Sequence, residues 1–563
     1  MNPQANFLLH KSLECLNGSN FESAELYLKQ AFKLQPNNPH ILRLLGVLAA
    51  KKKKYDEALQ YFESSLKILP KNSLTHSNIG NIFLEKKLYE NAIESYDRAL
   101  RIDSKYDEAW SNKGNALFEL FQYENALIHH LHALSLNPLN ANAWTNAGNA
   151  LTELKRYDEA LTHHDKALEL SSNDCSIWSN KGVSLQRLKR YDEALIHQDK
   201  ALSINPNYAK GWYNKAVTLH HLKRCSDAIA CYDQALKLEP LHVDAHWNKS
   251  LLKLSLGEYA EGWELYEWRW KTEFQKSAAR TYDQPLWLGN QPLDNRTILV
   301  FAEQGLGDTI QFCRYITKLA DLGAKVILEA PEALLRILGS LEGVSKLIPM
   351  GSSPPPFDYY CPLLSLPLAF KTSVTNIPNQ VPYLKPDPEK VGYWKNLLGA
   401  KSHLRVGLVW SGGFRPNQPE LWDVNERRNI PLHKLAPLNL PNIDFYSLQK
   451  GEEAQAMLTS LKSSGWNGPE LIDHTDRLTD YSDTAAFIEN LDLIISVDTS
   501  VAHMAGALGK PVWILNRFDT DWRWFLDRTD SPWYPSATIF NQSNPEDWDT
   551  VIENVRKKLG GLT

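Results

Sequence analysis

The turn "EQGLGD", residues 303–308, is the first candidate for chemistry. It follows the short apolar strand "TILVFA" and places Asp308 directly behind Gly305 and Gly307. A carboxylate can act as a general base, and a glycine turn at a strand end can bring backbone N–H groups to a phosphate. The spacing is not G-x-G-x-x-G, so it indicates a dinucleotide fold only weakly. The structural alternative is that Asp308 caps a helix beginning at Thr309, and the residues alone leave both open.

The stretch "SVDTSVAH", residues 496–503, is the second candidate and also ends an apolar strand. Asp498 precedes Thr499 and Ser500, and His503 follows one helical turn later. Helix N-termini attract phosphates through free amides and the macrodipole, and the two hydroxyls add donors. The structural alternative is capping by Asp498 and Ser500, with His503 a polar residue on a mostly buried helix. Either turn alone would fit the structural alternative.

The elements around these turns predict two α/β halves. From residue 296 onward, apolar strands alternate with segments of helical period, and a second series opens with "LRVGLVWSGG" and continues through "IDFYSLQK" and "LDLIISVDTS". Such alternation predicts parallel sheets covered on both faces, with ligands at the carboxyl ends of the strands. We therefore expect Rossmann-like halves at 296–390 and 402–563 that face a cleft, preceded by a polar connector at 274–295.

Taken together, the two turns resemble "GxxGD" and "DTGxxH" of the heptosyltransferase-like glycosyltransferases, family nine of the GT-B fold, over about residues 296–559. The resemblance implies inverting transfer from a nucleotide sugar without a metal or other cofactor, by a hexosyl- or heptosyltransferase-like enzyme. Asp308 maps onto the proposed catalytic base, on the acceptor side. The donor's phosphates and sugar map onto the second half, at Asp498, Thr499, Ser500 and His503. In GT-B enzymes the final helix crosses back onto the first half, and we expect the same here.

Further donor contacts follow from the same resemblance. A basic residue between the two motifs contacts the diphosphate in that family, and Arg428 in "NERRNIPL" is the best match, with Arg427 the alternative. Ser500 stands where the lipopolysaccharide enzymes carry glycine, so their heptose donor is not carried over. Gly305 and Gly307 of the first turn complete the donor-binding set, together with Gln449 and Lys450, which are predicted to touch the nucleotide because they end a strand of the second half.

The run "DTDWRWFLDRTDSPWYP", residues 519–535, combines aromatic residues with Arg523 and Arg528. Such aromatic residues generally anchor a loop to the core. The alternative is that they form a wall of the donor or acceptor pocket.

The first half of the chain repeats every 34 residues. Glycine and proline keep this step, and so does an aromatic residue followed three positions later by alanine: Phe21/Ala24, Tyr55/Ala58, Tyr89/Ala92, Tyr123/Ala126, Tyr157/Ala160 and Tyr191/Ala194. Small residues at a helix crossing, an aromatic wedge and a terminal proline describe a helix-turn-helix unit that buries its apolar face only by stacking. The pattern resembles the tetratricopeptide repeat and predicts an α-solenoid of seven or eight units within residues 1–273.

Asparagine also recurs at one phase of the repeat. Asparagine is a poor helix former, so the series needs a reason. One interpretation is a solvated polar face copied with the repeat. The other is a resemblance to O-GlcNAc transferase, whose repeats use asparagines at this place to hold a peptide backbone, which implies a polypeptide partner or acceptor. The series is Asn78, Asn112, Asn146, Asn180, Asn214 and Asn248.

Composition excludes several classes of function. The chain of 563 residues carries 61 basic and 66 acidic side chains, which gives no electrostatic footprint for nucleic acid or a membrane surface. Its six scattered cysteines form no C-x-x-C pair, and no apolar run has the length of a membrane span. His129, His163 and His197 step by 34 and would lie too far apart for one metal. We expect a soluble, cytoplasmic protein without a metal site.

The sequence thus predicts a tetratricopeptide superhelix followed by a GT-B domain. Repeat arrays fused to such a domain look like bacterial enzymes that modify protein acceptors, flagellin glycosylation being one example. The predicted function is sugar transfer from a nucleotide-sugar donor to a protein hydroxyl recruited by the repeats. The alternative is a non-catalytic repeat scaffold with a degenerate ligand-binding domain; a nicotinamide-dependent oxidoreductase fits less well, because the G-x-G-x-x-G turn is missing.

Overall fold

The computed structural model describes residues 3–273, 275–413, 422–451, 456–460 and 465–562. The chain divides into two compact units, Met1–Pro240 and Leu241–Thr563.

The first unit consists of seven antiparallel helix pairs. In six of them the second helix begins at the aromatic residue of the 34-residue series, so the sequence period corresponds to one helix pair. The buried alanines of that series, such as Ala58 and Ala92, lie where the two helices cross. The helices are α1 (Pro3–Asn17), α2 (Phe21–Leu34), α3 (Pro39–Lys51), α4 (Tyr55–Ile68), α5 (Ser73–Glu85), α6 (Tyr89–Ile102), α7 (Asp107–Glu119), α8 (Tyr123–Leu136), α9 (Ala141–Glu153), α10 (Tyr157–Leu170), α11 (Cys175–Arg187), α12 (Tyr191–Ile204), α13 (Ala209–His221) and α14 (Cys225–Leu238).

The glycine series is explained by close packing within each pair. A Cβ on Gly46 would lie 2.5 Å from the ring of Phe62, and one on Gly114 would lie 2.6 Å from the ring of His130. Real Cβ atoms do not approach so closely, so the ring of the second helix packs directly on the backbone of the first. The ring position is occupied by Phe62, Tyr96, His130 and His164 in successive repeats, all of them fully buried.

The turn between the two helices of each pair contains a non-glycine residue in the left-handed region. Phe121 is the one aromatic residue of this series, which otherwise consists of serine and lysine. It has φ +60°, and 76% of its surface is exposed. Left-handed backbone costs a residue with a Cβ about 1 kcal/mol or more. The full series is Ser19, Lys53, Lys87, Phe121, Lys155, Lys189 and Lys223.

The second unit begins with an eighth helix pair, α15 (Val243–Ser255) and α16 (Tyr259–Tyr266). The sequence assigned this pair to the repeat array, and its aromatic residues also form part of the core of the second unit. Trp263 lies edge-on to Trp522 at 5.2 Å, and the indole N–H of Trp533 donates to the hydroxyl of Tyr259 at 3.1 Å.

Two parallel sheets follow. The first has four strands in the order β3-β2-β1-β4, and the second has six in the order β10-β9-β8-β5-β6-β7. The strands are β1 (Thr297–Phe301), β2 (Lys325–Ala330), β3 (Val344–Pro349), β4 (Tyr359–Pro362), β5 (Leu404–Val409), β6 (Ile443–Ser447), β7 (Leu471–Asp473), β8 (Leu493–Val497), β9 (Val512–Asn516) and β10 (Ala537–Asn541). The helices are α17 (Leu306–Phe312), α18 (Tyr315–Asp321), α19 (Leu335–Leu338), α20 (Leu366–Ala369), α21 (Pro388–Leu398), α22 (Trp422–Arg428), α23 (Tyr481–Glu489), α24 (Ser500–Ala507) and α25 (Trp548–Gly560).

The strand orders define one switch point in each sheet. The chain leaves β1 toward β2 and later returns to its other side with β4; in the second sheet β5 separates β6 from β8 in the same way. Ligands of open parallel sheets bind outside the carboxyl ends of the strands at such points. Asp308 lies at the start of the helix that follows β1, and Asp498 lies in the turn that follows β8. Both predicted turns therefore lie at switch points.

Three local expectations are corrected. The helix after the first turn begins at Leu306 rather than Thr309, and it is interrupted between Phe312 and Tyr315. The final helix α25 packs on the second sheet, with Trp548 and Val551 in the same apolar cluster as strand residues of that sheet, so among the described residues its apolar face is buried on the second half rather than the first. One face of the first sheet is covered by aromatic side chains of the connector and a loop rather than by helices.

Candidate functional site

The first turn is fixed by its own carboxylate. Asp308 lies in the first turn of α17, and its Oδ2 accepts the backbone N–H of Gly305 at 2.8 Å. This bond is the capping interaction foreseen as the structural alternative, made from inside the helix. The other oxygen, Oδ1, is ion-paired with Arg523. Asp308 thus fixes the turn and is also held by a cation from the second half.

The second turn leaves the start of α24 without a cap from its N-cap residue. Thr499 occupies the N-cap position, and its hydroxyl contacts Ser496 Oγ at 3.0 Å rather than the first-turn amides. The Ser500 hydroxyl contacts the hydroxyl of Tyr481. The N-terminus of α24, with its amides and positive dipole end, is therefore suited to an anion.

The two turns touch each other. A Cβ on Gly307 would lie 2.8 Å from His503 Cδ2 and 3.5 Å from Ser500 Cα, so a larger residue here would force its neighbours to shift. The helix that follows β1 and the helix that follows β8 therefore pack directly together. Residues almost 200 positions apart in the chain are brought to one place, the side at which both sheets end their strands.

His503 is a buried, neutral imidazole. It is 4% exposed, its Nδ1 lies 2.9 Å from the hydroxyl of Tyr534, and its ring stacks on Trp524 at 5.3 Å. Burial, assisted by the nearby charge of Arg523, lowers its pKa to about 3. The ring therefore acts as a neutral hydrogen-bonding group, with Nε2 3.8 Å from Asp498 Oδ1.

Asp498 and Arg428 form the second-half side of the site. Burial and the neighbouring Asp521 raise the pKa of the Asp498 carboxyl. Arg428 Nη1 donates to the backbone oxygen of Asp498 at 3.0 Å, across the switch point between β5 and β8. Its guanidinium also lies against Gly412 at the end of β5, where a Cβ would be 2.0 Å from Nη2. The basic residue chosen from sequence thus lies beside the Asp498 turn.

Gln449 and Lys450 hold backbone in place. Gln449 Oε1 accepts the N–H groups of Trp410 at 3.2 Å and Ser411 at 2.9 Å, which fixes the turn after β5. Lys450 Nζ donates to the backbone oxygen of Leu478. The nucleotide contact foreseen for these two residues stays a prediction.

Arg523 is the residue that sequence reasoning did not place in the site. It lies in the loop after β9, is 8% exposed, and bonds Asp308 and Gln311 of the first half as well as Asp521. The sequence feature that contains Arg523 is the run of residues 519–535, whose aromatic residues were predicted either to anchor a loop or to form a pocket wall. Nothing in that run identifies Asp308 as the partner of Arg523.

In the first unit, three asparagines of the series form hydrogen bonds to the preceding repeat. Asn112 Nδ2 donates to Asn81 Oδ1 at 3.0 Å, and Asn146 Nδ2 donates to Asn115 Oδ1 at 2.8 Å. Asn214 donates to a serine of the preceding repeat. The amide N–H groups thus bond the neighbouring repeat. Asn78 and Asn180 are half-buried, and Asn248 lies on α15 in the second unit; the peptide-binding role of the series stays a prediction.

The histidines of the 34-residue step are structural in the first unit. His129, His163 and His197 pack against Trp110, Trp144 and Trp178, with ring centroids 5.4, 5.1 and 5.6 Å apart. Within the described part of the chain, no group of three histidine, cysteine or acidic residues is arranged to hold a metal ion. No helix of the same residues is long and apolar enough to cross a membrane.

Family models match the repeats. Models described as "TPR repeat" or "Tetratricopeptide repeat" match residues 16–73, 80–121, 141–174, 173–239 and 213–267. Tetratricopeptide repeats therefore run across residues 16–267, as the sequence period predicted. They precede a region of parallel sheets.

One curated protein is similar over a longer stretch. Protein FlbA of Caulobacter vibrioides is 26% identical over 329 residues, which cover 54% of this chain and 53% of that protein. The match thus spans about half the length of the relative.

Two solved structures are similar to less than half of the chain. A chain of the APC/C Cut9–Hcn1 hetero-tetramer is 18% identical with a TM-score of 0.40, covering 43% of this chain and 48% of that one. A tetratricopeptide repeat protein from Parabacteroides merdae is 19% identical with a TM-score of 0.36, covering 47% and 98%. Similarities at this level add nothing about function.

Proposed function

We propose that the second unit is a glycosyltransferase domain that moves a sugar from a nucleotide-sugar donor to an acceptor hydroxyl with inversion. The repeats would recruit the polypeptide that carries this hydroxyl. The observation that supports the proposal most is the contact between the two turns, with Gly307 against His503 and Asp308 beside the loops that follow β8 and β9.

The chemistry assigns one task to each turn. The acceptor oxygen forms a bond to the anomeric carbon while the bond from that carbon to the donor phosphate breaks, and the hydroxyl proton goes to Asp308. Negative charge develops on the departing phosphate. The amides at the start of α24 and the guanidinium of Arg428 are fixed donors suited to that charge. His503, neutral and buried, adds a hydrogen-bonding group beside them.

One observation favours the rival function, a non-catalytic scaffold. Both oxygens of Asp308 already accept bonds, from Gly305 and Arg523, as a purely structural aspartate would. In that case the domain binds a nucleotide or its sugar conjugate without turning it over.

The test is a donor screen that follows nucleotide release from UDP-, GDP-, ADP- and CMP-sugars, with water and then added hydroxyl-bearing polypeptides as acceptors. Asp308→Asn keeps an oxygen for the Gly305 N–H and removes the base, so we expect turnover to fall by about 10²- to 10⁴-fold. The matched control is Asp283→Asn, an exposed aspartate of the same unit, which should leave the rate unchanged. Binding of a donor without turnover by the parent would establish the scaffold instead.

A further inference from the structure

We propose that Arg523 is a positioning residue of this reaction, because its guanidinium holds the Asp308 carboxylate in the orientation from which it accepts a proton. The inference rests on the proposed function and adds to it a residue that the motif resemblance does not include.

Arg523 is held by residues of both halves. Its Nε donates to Gln311 Oε1 at 2.9 Å, its Nη1 donates to Asp521 Oδ1 at 2.9 Å, and its Nη2 is paired with Asp308 Oδ1. The guanidinium carbon lies 4.3 Å from the ring centroid of Trp522. Because the five N–H groups of arginine form a rigid planar fork, three bonds to three residues fix both the position and the plane of the group.

The consequence for Asp308 is a fixed carboxylate plane. Gly305 N–H bonds one oxygen and Arg523 bonds the other, so rotation of the carboxylate would break one of the two bonds. Each carboxylate oxygen has two acceptor positions, and these bonds use one on each. The remaining positions can receive an acceptor hydroxyl in a defined direction, which is what proton transfer at bonding distance requires.

Two other roles for Arg523 are conceivable. It could contact the donor phosphate directly, or it could only join the halves. Three of its N–H groups donate to protein acceptors of the described chain, and only 8% of the residue's surface is exposed. If Arg523 acts by positioning Asp308, its substitution lowers kcat only when Asp308 is present. The KM for the donor then changes little.

The test is a double-mutant cycle in steady-state kinetics with the donor found in the screen. We expect Arg523→Gln to lower kcat by about 10- to 100-fold, the scale of a misplaced catalytic group, with KM within about threefold. Arg523→Lys should restore part of kcat, since it keeps a cation but not the fork. In an Asp308→Asn background, Arg523→Gln should have no further effect, because the two residues act as one unit. Arg528→Gln, a half-exposed arginine of the same run paired with Asp530, is the matched control and should behave as the parent.

Each outcome decides the proposal. If the two substitutions lower kcat additively in the double variant, or if Arg523→Gln changes mainly KM, the positioning role is refuted. Either result would leave the proposed transferase function standing. A parent that turns over no donor refutes the proposed function and this inference together. Thermal unfolding shows whether Arg523→Gln folds. If it does not fold, Gln311→Met is used instead, because it removes one of the three bonds to Arg523 and should lower kcat without changing KM. An unchanged kcat in Gln311→Met would refute the positioning role.

Discussion

Gly307 offers the most direct test of the packing between the two turns. In Gly307→Ala the new methyl would lie 2.8 Å from His503 Cδ2, whereas ordinary contacts begin at about 3.4 Å. The separation must therefore grow by roughly 0.6 Å. His503 cannot easily yield, because Tyr534 and Trp524 hold its ring. Overpacking of this kind lowers the free energy of unfolding by about 1–3 kcal/mol. The better helix propensity of alanine offsets up to about 1 kcal/mol of this loss.

The assay is calorimetric unfolding combined with donor turnover. A unit of about 320 residues has an unfolding entropy near 0.7 kcal/mol/K, so each kcal/mol shifts Tm by about 1.5 °C. We expect Gly307→Ala to lower the Tm of the second unit by about 1–4 °C and to lower turnover. The matched control is Gly392→Ala on α21, where no atom lies within 4 Å of the new methyl and a gain of about 0.5–1 kcal/mol is expected. A Tm that is higher in Gly307→Ala than in the parent would refute the contact between the turns.

Three further predictions concern other features. Phe121→Gly should stabilise the first unit by about 1 kcal/mol in urea unfolding, because glycine accepts φ +60°, whereas Phe121→Ala keeps the strained backbone and should bring no such gain. The pKa values of His130 and His164 are lowered to about 3 by burial, below the ordinary 6.5, so their contribution to stability is complete above pH 6.5 and is lost as pH falls toward 3. At pH 5 the free energy of unfolding is lower by about 2 kcal/mol for each of the two histidines. The drop in Tm between pH 7 and pH 5 should therefore be smaller in His130→Phe than in the parent. The control His10→Phe changes an exposed histidine and should leave this drop as it is in the parent. Turnover of the donor should persist in excess EDTA, and dependence on added Mg²⁺ or Mn²⁺ would contradict the metal-independent mechanism proposed for Asp308.

The sequence predicted the repeats because their packing is local. Each 34-residue unit contains both partners of its main contact, for example Gly46 and Phe62 within one helix pair, so one period encodes one complete interaction. The switch-point turns could also be foreseen, since Asp308 and Asp498 each follow an apolar strand directly. Their joint function stays a prediction.

The rest depends on contacts between distant segments. The pairing of Arg523 with Asp308 joins residues 215 positions apart, and no local pattern specifies it. Likewise, Tyr259 and Trp263 occupy positions that continue the repeat period, yet they are buried against aromatic residues of the α/β region. A periodic sequence fixes the local helix pair but not the core to which its apolar face contributes.

The eighth helix pair therefore determines where the chain can be cut or recombined. A fragment starting at the end of the sequence period, near residue 274, would lack Tyr259 and Trp263 and would expose the rings of Trp522 and Trp533 to water. Exposed aromatic surface of this kind promotes aggregation. We expect exchange of the repeat array for another to preserve the α/β fold when the junction falls at Pro240/Leu241, because the eighth helix pair then stays with the aromatic core to which Tyr259 and Trp263 contribute.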